Sequence, residues 1–236
     1  MEIENSVIIF TGATGGIGRS TCTLLAEKGA KLVLAARTKE TLTAFAQSLP
    51  DAMAVTTDMR KPHEVKRLVD TAVERYGRVD ILINGAAQGM WQPLEKIDLE
   101  QYKSLMDLNV YGPLLAMQAV IPVMRAQGGG MILNISSAST KLMVVPNLSG
   151  YASTKYALNS LSLTAREELA EDNIVVSTIY PILVMTEFGV HAVAPEPEWL
   201  RHPGADDPHL PMVMPEKVAE KIAALIGSGE AECIVD

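Results

Sequence analysis

Short runs rich in Val, Ile and Leu recur along the chain at residues 6–10, 31–35, 52–56, 79–83, 130–136, 174–180 and 232–235. They do not alternate apolar with polar positions, which predicts strands covered on both faces. Between them, apolar residues fall at helical spacing over 16–28, 39–48, 62–76, 99–127, 150–171 and 215–227. Pro113 interrupts the 99–127 stretch, which therefore reads as two helices or one kinked helix. Strand–helix alternation of this kind implies parallel strands with right-handed crossovers, and hence a doubly wound sheet. One segment breaks the rhythm. Residues 186–214 are rich in proline and aperiodic, and so long a loop is expected to serve function, here as a substrate lid.

Composition narrows the classes. At 236 residues with 48% hydrophobic and 20% charged positions, the chain suits one globular domain spanning 1–236. A formal charge of −8 with scattered basic residues gives no footprint for nucleic acid or an anionic membrane. No apolar run approaches a membrane span, and the start of the chain lacks a secretory pattern, so the expected address is the cytoplasm. Cys22 and Cys233 stand at opposite ends, which suits a reducing compartment. The histidines His63, His191, His202 and His209 show no metal-ligand spacing, and no metal is expected.

Candidate chemistry begins directly after the first strand, with Thr11-Gly12-Ala13-Thr14-Gly15-Gly16-Ile17-Gly18 opening a helix. Glycines allow a tight turn and close approach of backbone to phosphate, and a helix amino end offers free N–H groups and a positive dipole. The second strand ends Ala35-Ala36-Arg37, with no acid to grip a ribose 2′-hydroxyl. An arginine there can pair with a 2′-phosphate. The expected cofactor is therefore NADP(H), with NAD(H) second.

Taken in order, these motifs resemble the short-chain dehydrogenase/reductase family over nearly the whole chain. Thr11–Gly18 matches its cofactor loop, and Asp58 and Met59 follow the third strand, where the family places an adenine contact. Asn84-Gly85-Ala86-Ala87 is similar to its Asn-Asn-Ala-Gly, and Asn109, Ser137, Tyr151 and Lys155 match its catalytic set. Pro181 and Thr186 follow the sixth strand, where the resemblance implies contacts to the nicotinamide or pyrophosphate. Two departures stand out. The family's usual spacing would put the serine at Ala138, whereas Ser137 lies one residue farther from Tyr151 and Ser139 one closer; a one-residue insertion before Pro146 accounts for it. Pro181-Ile182 also replaces the usual Pro-Gly. The resemblance implies a Rossmann-type doubly wound, mostly parallel seven-stranded sheet with helices on both faces.

It also implies a reaction: hydride exchange between cofactor and a carbonyl or alcohol. Tyr151 and Lys155 lie four residues apart, so on one helix they share a face. There a lysine cation would draw the phenol down from its ordinary pKa of about 10. Ser137 would hydrogen-bond the substrate oxygen. The resemblance has Asn109 hold a helix kink and a water linking Lys155 to solvent, with Lys155 also on the nicotinamide ribose. Gln88, Met90, Trp91, Met143, Val144, Met185, Phe188 and Trp199 are candidate walls for a mostly apolar substrate. Family members are often homodimers or homotetramers. The competing readings are an NAD-linked dehydrogenase of the same family and a regulatory protein that binds nucleotide without turnover.

Overall fold

Ile8 and Phe10 point to one face of the first strand and Val7 and Ile9 to the other, and all four are buried. This two-sided burial explains the uniformly apolar strands, because in an extended chain successive side chains take opposite faces. The computed structural model describes residues 1–142, 144–193 and 212–236. Its strands are β1 (Val7–Thr11), β2 (Lys31–Ala36), β3 (Ala52–Thr56), β4 (Ile81–Asn84), β5 (Gly130–Ile135), β6 (Ile174–Pro181), β7 (Leu183–Val184), β8 (Met212–Val213) and β9 (Glu232–Val235). Seven of them form a sheet in the order β3-β2-β1-β4-β5-β6-β9, with every pairing parallel. The fold is thus a Rossmann-type doubly wound sheet.

Helices cover both faces. α1 (Gly16–Glu27), α2 (Lys39–Gln47) and α7 (Pro215–Ser228) close one core with Ile8, Phe10, Leu32 and Leu34. α3 (Pro62–Tyr76), α5 (Gly112–Ala126) and α6 (Ser149–Glu168) close the other with Val7, Ile9, Val33 and Ile132. The order of strands reverses between β1 and β4, which opens a crevice at their carboxyl ends, where such sheets bind ligands.

The 99–127 stretch breaks as expected, but not at Pro113. α4 (Leu99–Met106) passes through a π-helical turn at Asp107–Tyr111 before α5 begins. Pro113 stands in the first turn of α5, where a missing N–H costs little. The wide turn is centred on Asn109.

The expected lid departs from the sheet on a small ribbon. β7 and β8 pair in parallel, and the Met185 N–H donates to the Val213 carbonyl at 3.0 Å. Residues 194–211 of the lid lie outside the described residues, as do Met143, Trp199, His202 and His209. Among the described residues no helix is long and apolar enough to cross a membrane.

Candidate active site

Gly12 holds φ +77°, and a Cβ on it would lie 2.8 Å from backbone atoms of Ala86. A Cβ on Gly18 would stand 2.4 Å from the Gly12 carbonyl oxygen. Both positions therefore require glycine if β1, the loop and the end of β4 are to meet. Gly15 caps α1 without a side-chain hydrogen bond, so the first-turn amides are left without a capping side chain. Arg19 braces the loop, donating from Nε to the Thr14 carbonyl at 3.1 Å while its guanidinium lies 4.9 Å from the centre of the Phe45 ring. A loop that admits no Cβ and leaves helix amides open fits the pyrophosphate of a dinucleotide.

A cavity of about 770 Å³ runs from this loop to Tyr151. Gly12, Thr14, Gly15, Gly16, Ile17 and Gly18 line one end, with Arg37 and Met59 beside them at the ends of β2 and β3. Gly85, Ala86 and Pro181 line its middle, and Ser137, Tyr151 and Lys155 its far end. Thr186 leans over the loop, and a Cβ on Gly16 would meet its methyl at 2.4 Å.

Three expected residues stand behind the wall. Asp58 is gripped by Arg60 through bonds of 3.0 and 2.9 Å, which hold its carboxyl below the usual range. The buried Asn84 donates to Asn134 Oδ1 at 2.8 Å; Asn134 in turn donates to Ser162, tying β4, β5 and α6 together. Asn109, fully buried, accepts from the Gln88 N–H at 2.9 Å, donates to the Gln88 carbonyl at 2.9 Å and to Thr154 Oγ1 at 3.1 Å. It thereby fixes a cavity-wall residue, Gln88, to α6.

At the reacting end, Tyr151 is 8% exposed and Lys155 is 3% exposed. Lys155 Nζ lies 5.8 Å from the centre of the Tyr151 ring and donates to the Ile135 carbonyl at 2.8 Å. Burial pushes Tyr151 up to about 12, with only a hydrogen bond from Ser137 acting the other way, and pushes Lys155 down to about 8. A phenol drawn down by the lysine is thus not what this geometry produces: desolvation dominates both groups. The Ser137 hydroxyl oxygen accepts from the Ser139 N–H at 3.2 Å and the Ser139 hydroxyl at 3.0 Å. Its own proton is left to turn toward Tyr151 and the cavity.

Of the expected walls, Gln88, Trp91 and Phe188 line the cavity. Met90 is wholly buried, packed near Gly150, while Val144 and Met185 are exposed and off the wall. Trp91 stacks on Tyr151 with centroids 6.4 Å apart, and Phe188 meets Tyr151 edge-on at 5.8 Å. Ser139, the alternative serine, also lines the cavity, as do Val145, Leu148, Glu187 and His191, which were not anticipated there. His191 and Glu187 had no readable motif, since their place depends on how the segment after β7 folds back. The bonds that fold it back are Gln88 Nε2 to the His191 carbonyl at 3.0 Å and the Val193 N–H to the Gly89 carbonyl at 2.9 Å.

A profile of short chain dehydrogenases matches residues 6–196. The chain belongs to the short-chain dehydrogenase family. An uncharacterized oxidoreductase of Listeria innocua is 40% identical over 193 residues, 79% of this chain and 77% of its own. One from Staphylococcus saprophyticus is 37% identical over 194 residues, 80% and 78% of the two chains. Among solved structures, a 3-ketoacyl-(acyl-carrier-protein) reductase from Brucella melitensis complexed with NADH matches with a TM-score of 0.89 at 28% identity, covering 99% of this chain and 98% of that one. A short-chain type dehydrogenase/reductase from Mycobacterium marinum gives 0.90 at 26%, covering 100% and 95%. This short-chain dehydrogenase is an NAD(P)(H)-dependent oxidoreductase of carbonyl and alcohol groups.

One expectation is corrected. The ranking of NADP(H) above NAD(H) is overturned by the Brucella reductase, which has this fold and is complexed with NADH. The physical reason lies at the end of β2: Arg37 is an exposed side chain on the cavity rim. From such a place a guanidinium can also lie against an adenine face or accept a 2′-hydroxyl as neighbour, so an arginine alone does not specify a phosphate.

Proposed function

We propose that this short-chain dehydrogenase is NAD(H)-linked and reduces an apolar carbonyl compound to its alcohol, with Tyr151 as the proton donor. The observation that carries this reading is that Ser137, Tyr151 and Lys155 together line one cavity with a glycine loop no Cβ could enter. When bound, the nicotinamide cofactor supplies or accepts the hydride. The chain's own residues do the rest. Ser137 donates a hydrogen bond to the carbonyl oxygen and orients it; Tyr151, protonated at neutral pH, delivers its proton to that oxygen. Lys155 places positive charge beside the phenol and offers donors to the cofactor's ribose. Asn109 holds Gln88 and α6 in register behind them. Trp91 and Phe188 keep water from the phenol and favour an apolar substrate.

The loop residues Gly12, Thr14, Gly15, Gly16, Ile17 and Gly18 would hold the pyrophosphate, with Thr186 over it. Arg37 and Met59 would flank the adenosine, and Gly85, Ala86 and Pro181 the nicotinamide half. Exposed Tyr111, Tyr156 and Leu163 on the π turn and α6 support assembly as a homodimer or homotetramer. The test is consumption of NADH and NADPH by the purified protein against a panel of ketones and aldehydes. NADH consumption with apolar ketones is expected. Turnover with NADPH alone, or with neither, rejects the reading.

A further inference from the structure

Tyr151 and Lys155 share their face of α6 with a third side chain one turn on, Asn159, which is 7% exposed. It does not itself line the cavity, but it bonds a residue that does, Ser136. Its Oδ1 accepts from the Ser136 hydroxyl at 2.6 Å, and its Nδ2 donates to Thr140 Oγ1 at 2.9 Å. Thr140 Oγ1 in turn donates to the Ser137 carbonyl at 2.8 Å. We propose that Asn159 is a positioning residue for Ser137, its amide clamping the turn that bears Ser137 to the helix that bears Tyr151 and Lys155. The proposal rests on the reading of Ser137 and Tyr151 given above.

The amide can bind in one sense only. Thr140 has a single hydroxyl proton, already committed to the Ser137 carbonyl, so toward Asn159 it can only accept. The NH₂ must face Thr140 and the oxygen must face Ser136. One planar group thus holds the chain immediately before Ser137 and three residues after it. Both partners are buried, at 4% and 6% exposure, where an unmet polar group is costly. Beyond Thr140 the turn is held to the sheet by the Lys141–Glu232 pair at 2.8 Å, about one-third exposed and so a weak tether. Ser139 sets the Ser137 hydroxyl from its own turn, which leaves Asn159 to set that turn against α6. A clamp of this kind also accommodates the extra residue between Ser137 and Tyr151. Their separation in space is fixed through α6 rather than by the length of the intervening loop.

The test uses Asn159→Leu, Thr140→Val and Thr140→Ser, each in the wild-type and the Ser137→Ala background. Steady-state turnover, NADH affinity by fluorescence and the thermal midpoint are measured for all. Displacement of a reacting group by about 1 Å can cost on the order of a hundredfold. Asn159→Leu and Thr140→Val should each lower kcat about ten- to hundredfold with NADH affinity within about twofold, and Thr140→Ser should restore it. In the Ser137→Ala background the same substitutions should cost less than about twofold, because no serine remains to be misplaced. Equal losses in both backgrounds, or wild-type kcat in Asn159→Leu alongside a crippled Ser137→Ala, overturn the proposal. Full activity in Ser137→Ala overturns the reading of Ser137 itself. Should Asn159→Leu fail to fold, the Thr140 pair decides: a Val variant as active as the Ser variant overturns the clamp.

Discussion

Lys155 donates from Nζ to the main-chain carbonyl of Ile135 at 2.8 Å, two residues before Ser137 in the chain. The ammonium is buried, and desolvation brings it down to about 8. In the unfolded chain a lysine titrates near 10.4. Between these values the unfolded chain binds more protons than the folded one, so this group makes stability rise with pH, by up to about 1.4 kcal/mol per pH unit. Below about pH 8 both states are charged and the slope vanishes. Lys155→Met should remove the rise. Thermal midpoints of the two proteins from pH 7 to 10 test this, and parallel curves would show that Lys155 is not desolvated as described.

Tyr151→Phe removes the transferable proton and little else, since the ring still packs between Trp91 and Phe188. Turnover should fall by roughly 10²–10⁴-fold while NADH affinity changes by less than about twofold. Near-normal turnover would reject Tyr151 as the acid.

The serines are expected to rank clearly. Ser137→Ala should cost about a hundredfold in kcat, as does loss of one donor to a developing oxyanion. Ser139→Ala should cost far less, because Ser139 only donates to Ser137, and its N–H bond remains after truncation. Single-turnover rates of both variants settle the order; the reverse ranking would move the catalytic role to Ser139.

Strand and helix existence was legible because burial on both sheet faces writes itself into Val7–Phe10 and its counterparts, and glycine positions were legible because sterics admit nothing else at Gly12 and Gly18. The break near Pro113 was assigned to the residue that usually causes it, whereas the π turn around Asn109 leaves no compositional mark. Asp58 and Asn84 were assigned to the cofactor by motif order. Motif order does not show which way a side chain turns, and both turned to protein partners. Cofactor preference failed for a related reason: Arg37 names a charge, not the group it meets. The clamp at Asn159 was invisible because it depends on two hydroxyls, a main-chain carbonyl and an amide converging from separate elements.

The high phenol pKa yields a prediction of its own. Phe188 meets the Tyr151 ring edge-on at 5.8 Å, and burial is the first cause of the phenol's position at about 12. For alcohol oxidation the phenolate must take the proton, so the rate at fixed cofactor should climb with pH through the alkaline range. Phe188→Ala would let water reach the phenol and relax its pKa toward the ordinary value of about 10. The oxidation profile should then move to lower pH, by about one unit or more. Phe188→Leu keeps an apolar cover and should move it much less. Reduction near pH 7 should keep its pH independence in both variants, since the phenol stays protonated there. The measurement is log kcat/KM against pH for oxidation of one secondary alcohol with NAD. An unmoved profile in Phe188→Ala would show that the aromatic cover does not set the phenol's acidity, and that some group beneath the ring does.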